Sequence, residues 1–186
     1  MSNKLAIFGA GGHSKVILDI ALRSGYNDID FFDDNMKITN VKGNLDDLIK
    51  LCDDYKNFFV AIGDNYKRKD IYSKINKTKI EGISLIHPSS NISSDVIIGN
   101  GVCIMPGVSI NANTIISKGT IINTNSSIDH DCIVEEFTHI CPGVNIAGSV
   151  NIGSLVFVGI GSNIINNISI SKSTMIKAGA TVTKSI

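Results

Sequence analysis

The sequence lacks the features that mark several large classes of protein. Basic and acidic residues both number 17 among the 186 residues, so the formal net charge is zero. This balance argues against charge-driven binding of nucleic acid and against a polybasic membrane patch. No apolar run approaches the roughly 18 residues of a membrane-spanning helix. The first four residues, Met-Ser-Asn-Lys, lack the apolar core and cleavage site of a signal peptide, so we expect a cytoplasmic protein.

Disulfide and metal-binding patterns are also missing. The four cysteines, Cys52, Cys103, Cys132 and Cys141, form no CxxC pair and no zinc-binding pattern. We expect them to be reduced thiols that pack as small apolar residues. Hydrophobic residues still make up 43% of the chain, which is enough to bury a core and excludes global disorder. The sequence therefore predicts a folded protein with no metal site.

The two halves of the chain differ in composition. Residues 1–91 carry 25 of the 34 charged side chains, and residues 92–186 carry the other nine. The second half has a single leucine, Leu155, among many Ile, Val, Gly, Asn, Ser and Thr residues. No linker rich in Gly, Ser or Pro separates the halves. We predict one domain over residues 1–84 and a second domain over residues 85–186.

The first half alternates predicted strands and helices. Short apolar runs are each followed by a segment whose apolar residues recur with a helical period. The predicted strands are Lys4–Phe8, Asp28–Asp33 and Asn57–Ile62, and the predicted helices are His13–Arg23, a segment around Leu45–Leu51, and Asn65–Ile75. This alternation predicts a small Rossmann-like α/β domain with a parallel sheet and helices on its faces.

A strict six-residue repeat fills the second half. Stepping by six from Ile86 meets Ile or Val at seventeen successive positions: 86, 92, 98, 104, 110, 116, 122, 128, 134, 140, 146, 152, 158, 164, 170, 176 and 182. The residue four places after each is small or β-branched. Neither the helical period of 3.6 nor the strand period of 2 produces this spacing.

A parallel β-helix does explain the spacing. Each hexad forms one short strand and a corner, and three hexads close a triangular coil of 18 residues. The Ile and Val side chains then point into the prism and stack on their equivalents in the next coil. Neighbouring coils lie about 4.8 Å apart, so residues 86–186 make about 5.6 coils and a prism on the order of 27 Å long.

Two segments of the first half have features of a nucleotide site. Gly9, Gly11 and Gly12 lie where a predicted strand turns into a helix, so that the backbone and the helix N-terminus are open to an anion. The motif is GxGG rather than GxGxxG, and a merely tight turn is the alternative. Asp33 and Asp34 end the next strand, where an acid commonly binds ribose hydroxyls. A solvated turn is the alternative for this pair.

Histidines mark the second half. His130 and His139 lie within the repeat, where most such positions hold Asn, Ser, Gly or Lys, and Asp129 and Asp131 flank His130. A lone histidine is usually structural, but two histidines in a repeat of low charge, one of them flanked by two carboxylates, indicate a functional site. We therefore predict that His130 and His139 are functional residues. His87, which precedes a proline, is predicted to be a structural corner.

Taken together, these motifs resemble one family over nearly the whole chain. The resemblance is to bacterial nucleotide-sugar N-acetyltransferases of the bacillosamine pathway and to sialic acid O-acetyltransferases, which are hexapeptide-repeat acyltransferases. It is carried by the segments Phe8–Ser14, Phe32–Asp34, Ala61–Asn65 with Arg68, Ile86–Pro88, Ile122–Thr124, Ile128–Cys132, Phe137–His139 and Ala147–Gly148. The resemblance implies that the β-helix is left-handed and that the protein is a homotrimer with sites at subunit clefts.

The resemblance also implies a role for particular residues. It assigns the general base to His130 and the carboxylate that orients this base to Asp131. It assigns binding of the nucleotide sugar to Gly11, Gly12, His13, Asp33, Asp34 and Gly63. It assigns binding of acetyl-CoA, the expected co-substrate, to His139, Gly148 and Ile160. The implied reaction requires no metal.

The predicted function is therefore transfer of an acetyl group from acetyl-CoA to the amine of a UDP-4-amino-4,6-dideoxy sugar in bacterial glycan synthesis. Two alternatives remain at this point. An O-acetyltransferase acting on sialic acid or a similar nonulosonate would use the same fold and base. A non-catalytic β-helix protein that binds a sugar nucleotide would need neither acetyl-CoA nor His130.

Overall fold

The computed structural model describes residues 4–35 and 37–186, whose contacts divide into two compact units. The first unit ends at Leu85, and the second runs from Ile86 to Ile186. Among the described helices, none has the length and apolar character needed to cross a membrane.

The first unit is built on a four-stranded parallel sheet. Its strands are β1 (Leu5–Phe8), β2 (Ile29–Phe32), β3 (Asn57–Val60) and β4 (Glu81–Gly82), arranged in the order β2-β1-β3-β4. Three α-helices connect them, namely α1 (Gly12–Arg23), α2 (Leu45–Lys50) and α3 (Asn65–Ile75), and a short 3₁₀ turn covers Cys52–Asp54.

Burial explains why the first unit folds this way. Every residue of β1 and β3 is buried, as expected for central strands that are covered on both faces. Helix α1 buries the stripe of Ile17, Ile20 and Ala21, which recurs with the helical period. The first helical turn of α3 is fixed by Asp64, whose side chain accepts a hydrogen bond from the backbone N–H of Lys67.

The second unit is a parallel β-helix of two-residue strands in three sheets. The first sheet contains β5 (Leu85–Ile86), β8 (Cys103–Ile104), β11 (Ile121–Ile122), β14 (His139–Ile140), β17 (Phe157–Val158) and β20 (Met175–Ile176). The second contains β6 (Asn91–Ile92), β9 (Ser109–Ile110), β12 (Ser127–Ile128), β15 (Asn145–Ile146), β18 (Asn163–Ile164) and β21 (Thr181–Val182). The third contains β7 (Ile97–Ile98), β10 (Ile115–Ile116), β13 (Ile133–Val134), β16 (Asn151–Ile152) and β19 (Ser169–Ile170).

The repeated Ile and Val residues form the core of the prism. Ile122 pairs in register with Ile104 on one side and Ile140 on the other, and all three are fully buried. The register joins residues 18 positions apart, so that each coil stacks identical hexad positions. The predicted fold class, an α/β region followed by a parallel β-helix of hexapeptide repeats, is confirmed.

The corners of the prism share an unusual backbone conformation. Every sixth residue from Gly101 to Gly179 has a positive φ, between 55° and 71°. Several of these residues are Gly or Asn, the types that adopt this conformation most easily. Asp131, Phe137 and Leu155 adopt it as well, at a cost on the order of 1–2 kcal/mol each. At Asp131 the strained corner coincides with the predicted catalytic pair.

Candidate active site

His130 and Asp131 form a hydrogen-bonded pair at one corner of the β-helix. The corner follows β12 and precedes β13, and the Nδ1 atom of His130 lies 2.7 Å from the Oδ2 atom of Asp131. Their side chains are 57% and 50% exposed, so both are open to a ligand. If Nδ1 carries the proton that Asp131 accepts, Nε2 is the nitrogen left to take a proton.

The local charges adjust both groups of this pair. The hydrogen bond to Asp131, together with the charge of Asp129, raises the pKa of His130 above its ordinary value. The same hydrogen bond, together with one from Asn113, lowers the pKa of Asp131. Asp131 is therefore ionised whenever His130 titrates, and it favours the protonated imidazole that forms after proton transfer.

A second carboxylate, Asp129, is fixed beside the pair. Its Oδ1 atom accepts hydrogen bonds from the backbone N–H of His130 at 2.9 Å and from the side chain of Asn111 at 2.8 Å. These hydrogen bonds lower the pKa of Asp129, with the bond from Asn111 contributing most. Two carboxylates thus flank one imidazole, an arrangement that attracts a cationic amine.

Residues one coil away support the pair, and the sequence analysis did not identify them. Asn111 and Asn113 precede Asp129 and Asp131 by 18 residues, and the side chain of Asn113 donates to Asp131 at 3.2 Å. The signal that would have found them is the predicted coil length of 18 residues.

Gly148 lies one coil after His130 and leaves room for its ring. A Cβ atom placed at Gly148 would come within 2.7 Å of both Cε1 and Nε2 of His130. Real Cβ atoms almost never approach so closely, so a side chain here would displace the imidazole. The structure therefore places Gly148 beside the predicted base.

His139 belongs to a different part of the prism. It lies in β14 of the first sheet and is 8% exposed. Its Nε2 atom lies 3.2 Å from the side-chain amide nitrogen of Asn123, and its ring packs edge-on against Phe157 with the centroids 5.2 Å apart. The amide donates here if Nε2 is unprotonated, which would leave Nδ1 as the protonated nitrogen.

The three residues predicted for acetyl-CoA occupy three places on one chain. Gly148 is at the corner after β15, His139 is in β14, and Ile160 is at the corner after β17, where it is 57% exposed.

A groove of about 430 Å³ runs along the second sheet beside the corner of His130. Its lining includes Ser109, Asn111, Ser127, Asp129, Asn145 and Asn163.

In the first unit, the glycine turn is open to ligands. Gly11 and Gly12 are exposed, and a Cβ atom at either would meet nothing within 4 Å. Gly11 is the N-cap of α1 and gives it no side-chain cap. Gly9 differs, because its φ of +107° and the carbonyl oxygen of Ala61, 2.7 Å from where a Cβ would lie, both require glycine.

Asp33 and Asp34 both bind backbone N–H groups. Asp33 accepts from Ala10 at 2.8 Å through Oδ2 and from Asn35 at 2.8 Å through Oδ1, so it joins the end of β2 to the glycine turn. Asp34 accepts from the N–H of Leu45 at 3.1 Å, at the start of α2. Both carboxylates therefore have structural partners, and each oxygen keeps a lone pair for a ligand.

A cavity of about 170 Å³ opens beside this turn. Its lining includes Ala10, Ser14 and Leu18 on one side and Phe31 and Thr39 on the other. Ala10 and Ser14 flank the segment Gly11–His13 in the sequence, but the described residues that line this cavity include none of those predicted to bind the nucleotide sugar.

His13 and Gly63 adjoin a buried arginine. Burial, together with the charge of Arg68, lowers the pKa of His13 to about 4, so its imidazole is neutral at physiological pH. Arg68 is 1% exposed, and its Nη1 atom donates to the carbonyl oxygens of Ile62 and Gly63, each at 3.0 Å. Sequence analysis noted Arg68 only as part of a motif.

The described residues offer neither a cluster of metal-binding side chains nor an activated cysteine. In residues 4–35 and 37–186, no group of three or more His, Cys, Asp or Glu residues is placed to hold a metal ion. Burial raises the pKa of the Cys132 thiol, and it raises that of Cys141 to about 11. Thiols with raised pKa values are poor nucleophiles, in agreement with the packing role predicted for them.

Both the sequence and the fold of the chain are similar to those of known proteins. Residues 4–75 match the family described as the PglD N-terminal domain. The chain is 34% identical over 110 residues to UDP-N-acetylbacillosamine N-acetyltransferase of Bacillus subtilis, a match covering 54% of this chain and 50% of that protein. The chain thus spans half the length of this curated relative.

Solved structures match over a greater length. PerB from Caulobacter crescentus, in complex with CoA and GDP-perosamine, is 33% identical with a TM-score of 0.94, over 98% of this chain and 90% of that one. The acetyltransferase domain of PglB from Neisseria gonorrhoeae, in complex with acetyl coenzyme A, is 30% identical with a TM-score of 0.81, over 97% and 96% of the two chains.

The parallel β-helix and its similarity to solved sugar N-acetyltransferases place the chain in the acyltransferase class. The chain belongs, more narrowly, to the family of sugar N-acetyltransferases that includes GDP-perosamine N-acetyltransferase and the PglB acetyltransferase domain. The family predicted from the sequence is confirmed, and it is a family of enzymes whose solved members bind CoA or acetyl-CoA.

Proposed function

We propose that this protein transfers an acetyl group from acetyl-CoA to the amine of a nucleotide-linked 4-amino-4,6-dideoxy sugar, with UDP as the expected nucleotide. The observation that carries the proposal is the pair of His130 and Asp131, joined at 2.7 Å on an exposed corner. Membership of a sugar N-acetyltransferase family supports the reaction class.

His130 acts as the general base in this proposal. A protonated amine has no lone pair with which to attack a thioester, so the proton must leave before or during attack. Nε2 of His130 takes that proton, while Asp131 holds Nδ1–H and stabilises the imidazolium. Asp129 adds a negative charge near the incoming ammonium, which favours an amine over a neutral hydroxyl.

The N-terminal domain, proposed as residues 1–84, binds the nucleotide sugar. Gly11 and Gly12 leave the N-terminal N–H groups of α1 accessible to the diphosphate. His13 and Gly63 border the same turn, and Asp33 and Asp34 face the nucleoside. A diphosphate anchored here supplies the binding energy that positions the sugar amine for reaction.

The β-helix, proposed as residues 85–186, binds acetyl-CoA, which supplies the acetyl thioester. His139, Gly148 and Ile160 are the proposed contacts, together with the groove along the second sheet. Since these residues lie at three places on one prism, we further propose a homotrimer in which neighbouring copies bring His139 towards His130. The proposed location is the cytoplasm.

A thiol-release assay tests the reaction. It combines acetyl-CoA with a UDP-4-amino-4,6-dideoxy sugar, GDP-perosamine or sialic acid, and compares the wild type with His130→Ala. We expect CoA release with an amino sugar and a loss of about 10²-fold or more in the variant. His87→Ala is the matched control, because His87 is a corner histidine bonded to Ser89, and it should keep turnover per folded molecule.

The choice of acceptor decides between this proposal and its alternatives. Release with sialic acid and with neither amino sugar would replace the proposal by an O-acetyltransferase. Binding of a nucleotide sugar without detectable acetyl-CoA binding, both measured by calorimetry, would indicate a non-catalytic protein.

A further inference from the structure

Arg68 is a fully buried cation in the first unit that the proposed mechanism does not use. It lies in α3 with 1% of its surface exposed. A buried charge is costly unless hydrogen bonds compensate it, so an arginine at such a position requires a physical reason.

The hydrogen bonds of Arg68 converge on the turn after β3. Nη1 donates to the carbonyl oxygens of Ile62 and Gly63, and Nη2 donates at 2.8 Å to the side-chain oxygen of Asn65. These three acceptors are neutral carbonyl and amide oxygens, and they orient the guanidinium. The planar fork of arginine presents donors on separate nitrogens at fixed angles, whereas a lysine donates from a single nitrogen on a flexible stem.

His13, on the first turn of α1, has an unused hydrogen-bonding atom next to this arrangement. Its Nε2 atom is buried, and no other described residue makes a hydrogen bond to it. The charge that acts on the imidazole is that of Arg68, which, with burial, disfavours its protonation. His13 directly follows Gly11 and Gly12, whose surroundings are open.

We propose that Arg68 is a positioning residue whose guanidinium holds the turn at Ile62 and Gly63, beside Gly9, in the arrangement that receives the diphosphate of the nucleotide sugar. This inference rests on the proposed function. The positive charge behind the turn favours an anion there, and burial together with that charge keeps the imidazole of His13 neutral. Arg68 itself stays buried and acts through these residues.

Two variants and a matched control test the proposal. Arg68→Gln removes the charge, and Arg68→Lys keeps the charge but loses the fork. Arg23→Gln, on the exposed end of α1 and paired with Asp19, is the control for loss of one arginine. Affinities for UDP and GDP are measured by calorimetry at pH 7.5, and the His13 ring is followed by NMR titration, with His13→Gln used for assignment.

We expect Arg68→Gln to weaken nucleotide binding at least about tenfold, to raise KM for the nucleotide sugar and to leave kcat nearly unchanged. Its His13 pKa should rise above about 4, while remaining below the ordinary value because burial persists. Arg68→Lys should keep the low His13 pKa and still bind more weakly than the wild type. Arg23→Gln should match the wild type in both measurements.

The contrary results separate this inference from the proposed function. A wild type that binds UDP or GDP, with Arg68→Gln and Arg68→Lys binding equally well, overturns the inference alone. An unchanged His13 titration in folded Arg68→Gln also overturns it. A wild type that binds neither nucleotide and releases no CoA refutes the proposed function and this inference with it. If Arg68→Gln does not fold, the affinity of Arg68→Lys decides.

Discussion

Replacing Gly148 by alanine separates catalysis from stability. The new Cβ would lie 2.7 Å from Cε1 and Nε2 of His130, whereas ordinary contacts begin at 3.4 Å. The imidazole must therefore move by about 0.7 Å, and it can, since its side chain is 57% exposed. That movement shifts the proton-accepting Nε2 atom and disturbs the 2.7 Å hydrogen bond to Asp131.

The expected size of the effect follows from this geometry. A misplacement near 1 Å costs on the order of 10²-fold in rate, within the 10²- to 10⁴-fold that a general base contributes. Folding should not suffer, because Gly148 does not have a left-handed φ. Replacing glycine at such a position raises the free energy of unfolding by roughly 0.4–1 kcal/mol through the unfolded state.

Thiol-release kinetics and urea unfolding measure the two effects in Gly148→Ala. We expect kcat/KM to fall by about 10²-fold while stability is equal or slightly higher. In a His130→Ala background, the same change should cause no further loss of activity, because the displaced ring is absent. A variant that keeps wild-type kcat/KM within about threefold, or a full additional loss in the His130→Ala background, would refute the reasoning.

Three further predictions follow. Asp131→Asn removes the carboxylate whose hydrogen bond and charge raise the pKa of His130. The acidic limb of the pH–rate profile should therefore move to lower pH as kcat falls, and an unmoved limb would count against the pair. Ile140→Ala, in the buried core of the prism, should lower the free energy of unfolding by about 2–5 kcal/mol in urea titrations. The control Ile97→Ala, at a position that is 62% exposed, should lower it far less. Equal losses in the two variants would contradict the assigned core. Gly9→Ala should cost at least about 1–3 kcal/mol and weaken binding of UDP, and unchanged melting and binding would show that its φ of +107° is unimportant.

Local and periodic features were predictable from the sequence. The helix observed at Gly12–Arg23 differs by one residue from the predicted one, and Asn65–Ile75 agrees at both ends. These elements follow from apolar periodicity and from local caps, which are properties of a short stretch of chain. The predicted strand Asn57–Ile62 ends earlier, at Val60, because the chain then turns towards the loop that Arg68 holds.

The candidate site was predictable where neighbours in sequence form it. His130 and Asp131 are adjacent, so their proximity was evident from the sequence, and the family resemblance supplied their predicted roles as base and orienting carboxylate. The contact between His130 and Gly148 was accessible in principle from the 18-residue coil, but the sequence analysis assigned Gly148 to acetyl-CoA only. The hydrogen bonds of Asn111 and Asn113 to Asp129 and Asp131 likewise follow from the 18-residue coil, which stacks residues 18 positions apart.

The sequence by itself determined the period of six, and with it the prism and its core of Ile and Val residues. An apolar residue at every sixth position can be buried throughout the chain if three hexads form each coil and the coils stack in register. Only the tertiary structure decided which polar groups meet across long separations. Arg68 comes to act on His13, and Asp33 binds Ala10, because parallel strands place the loops that follow them at one edge of the sheet. A local sequence pattern cannot predict such long-range contacts, because they depend on the order of the strands in the sheet.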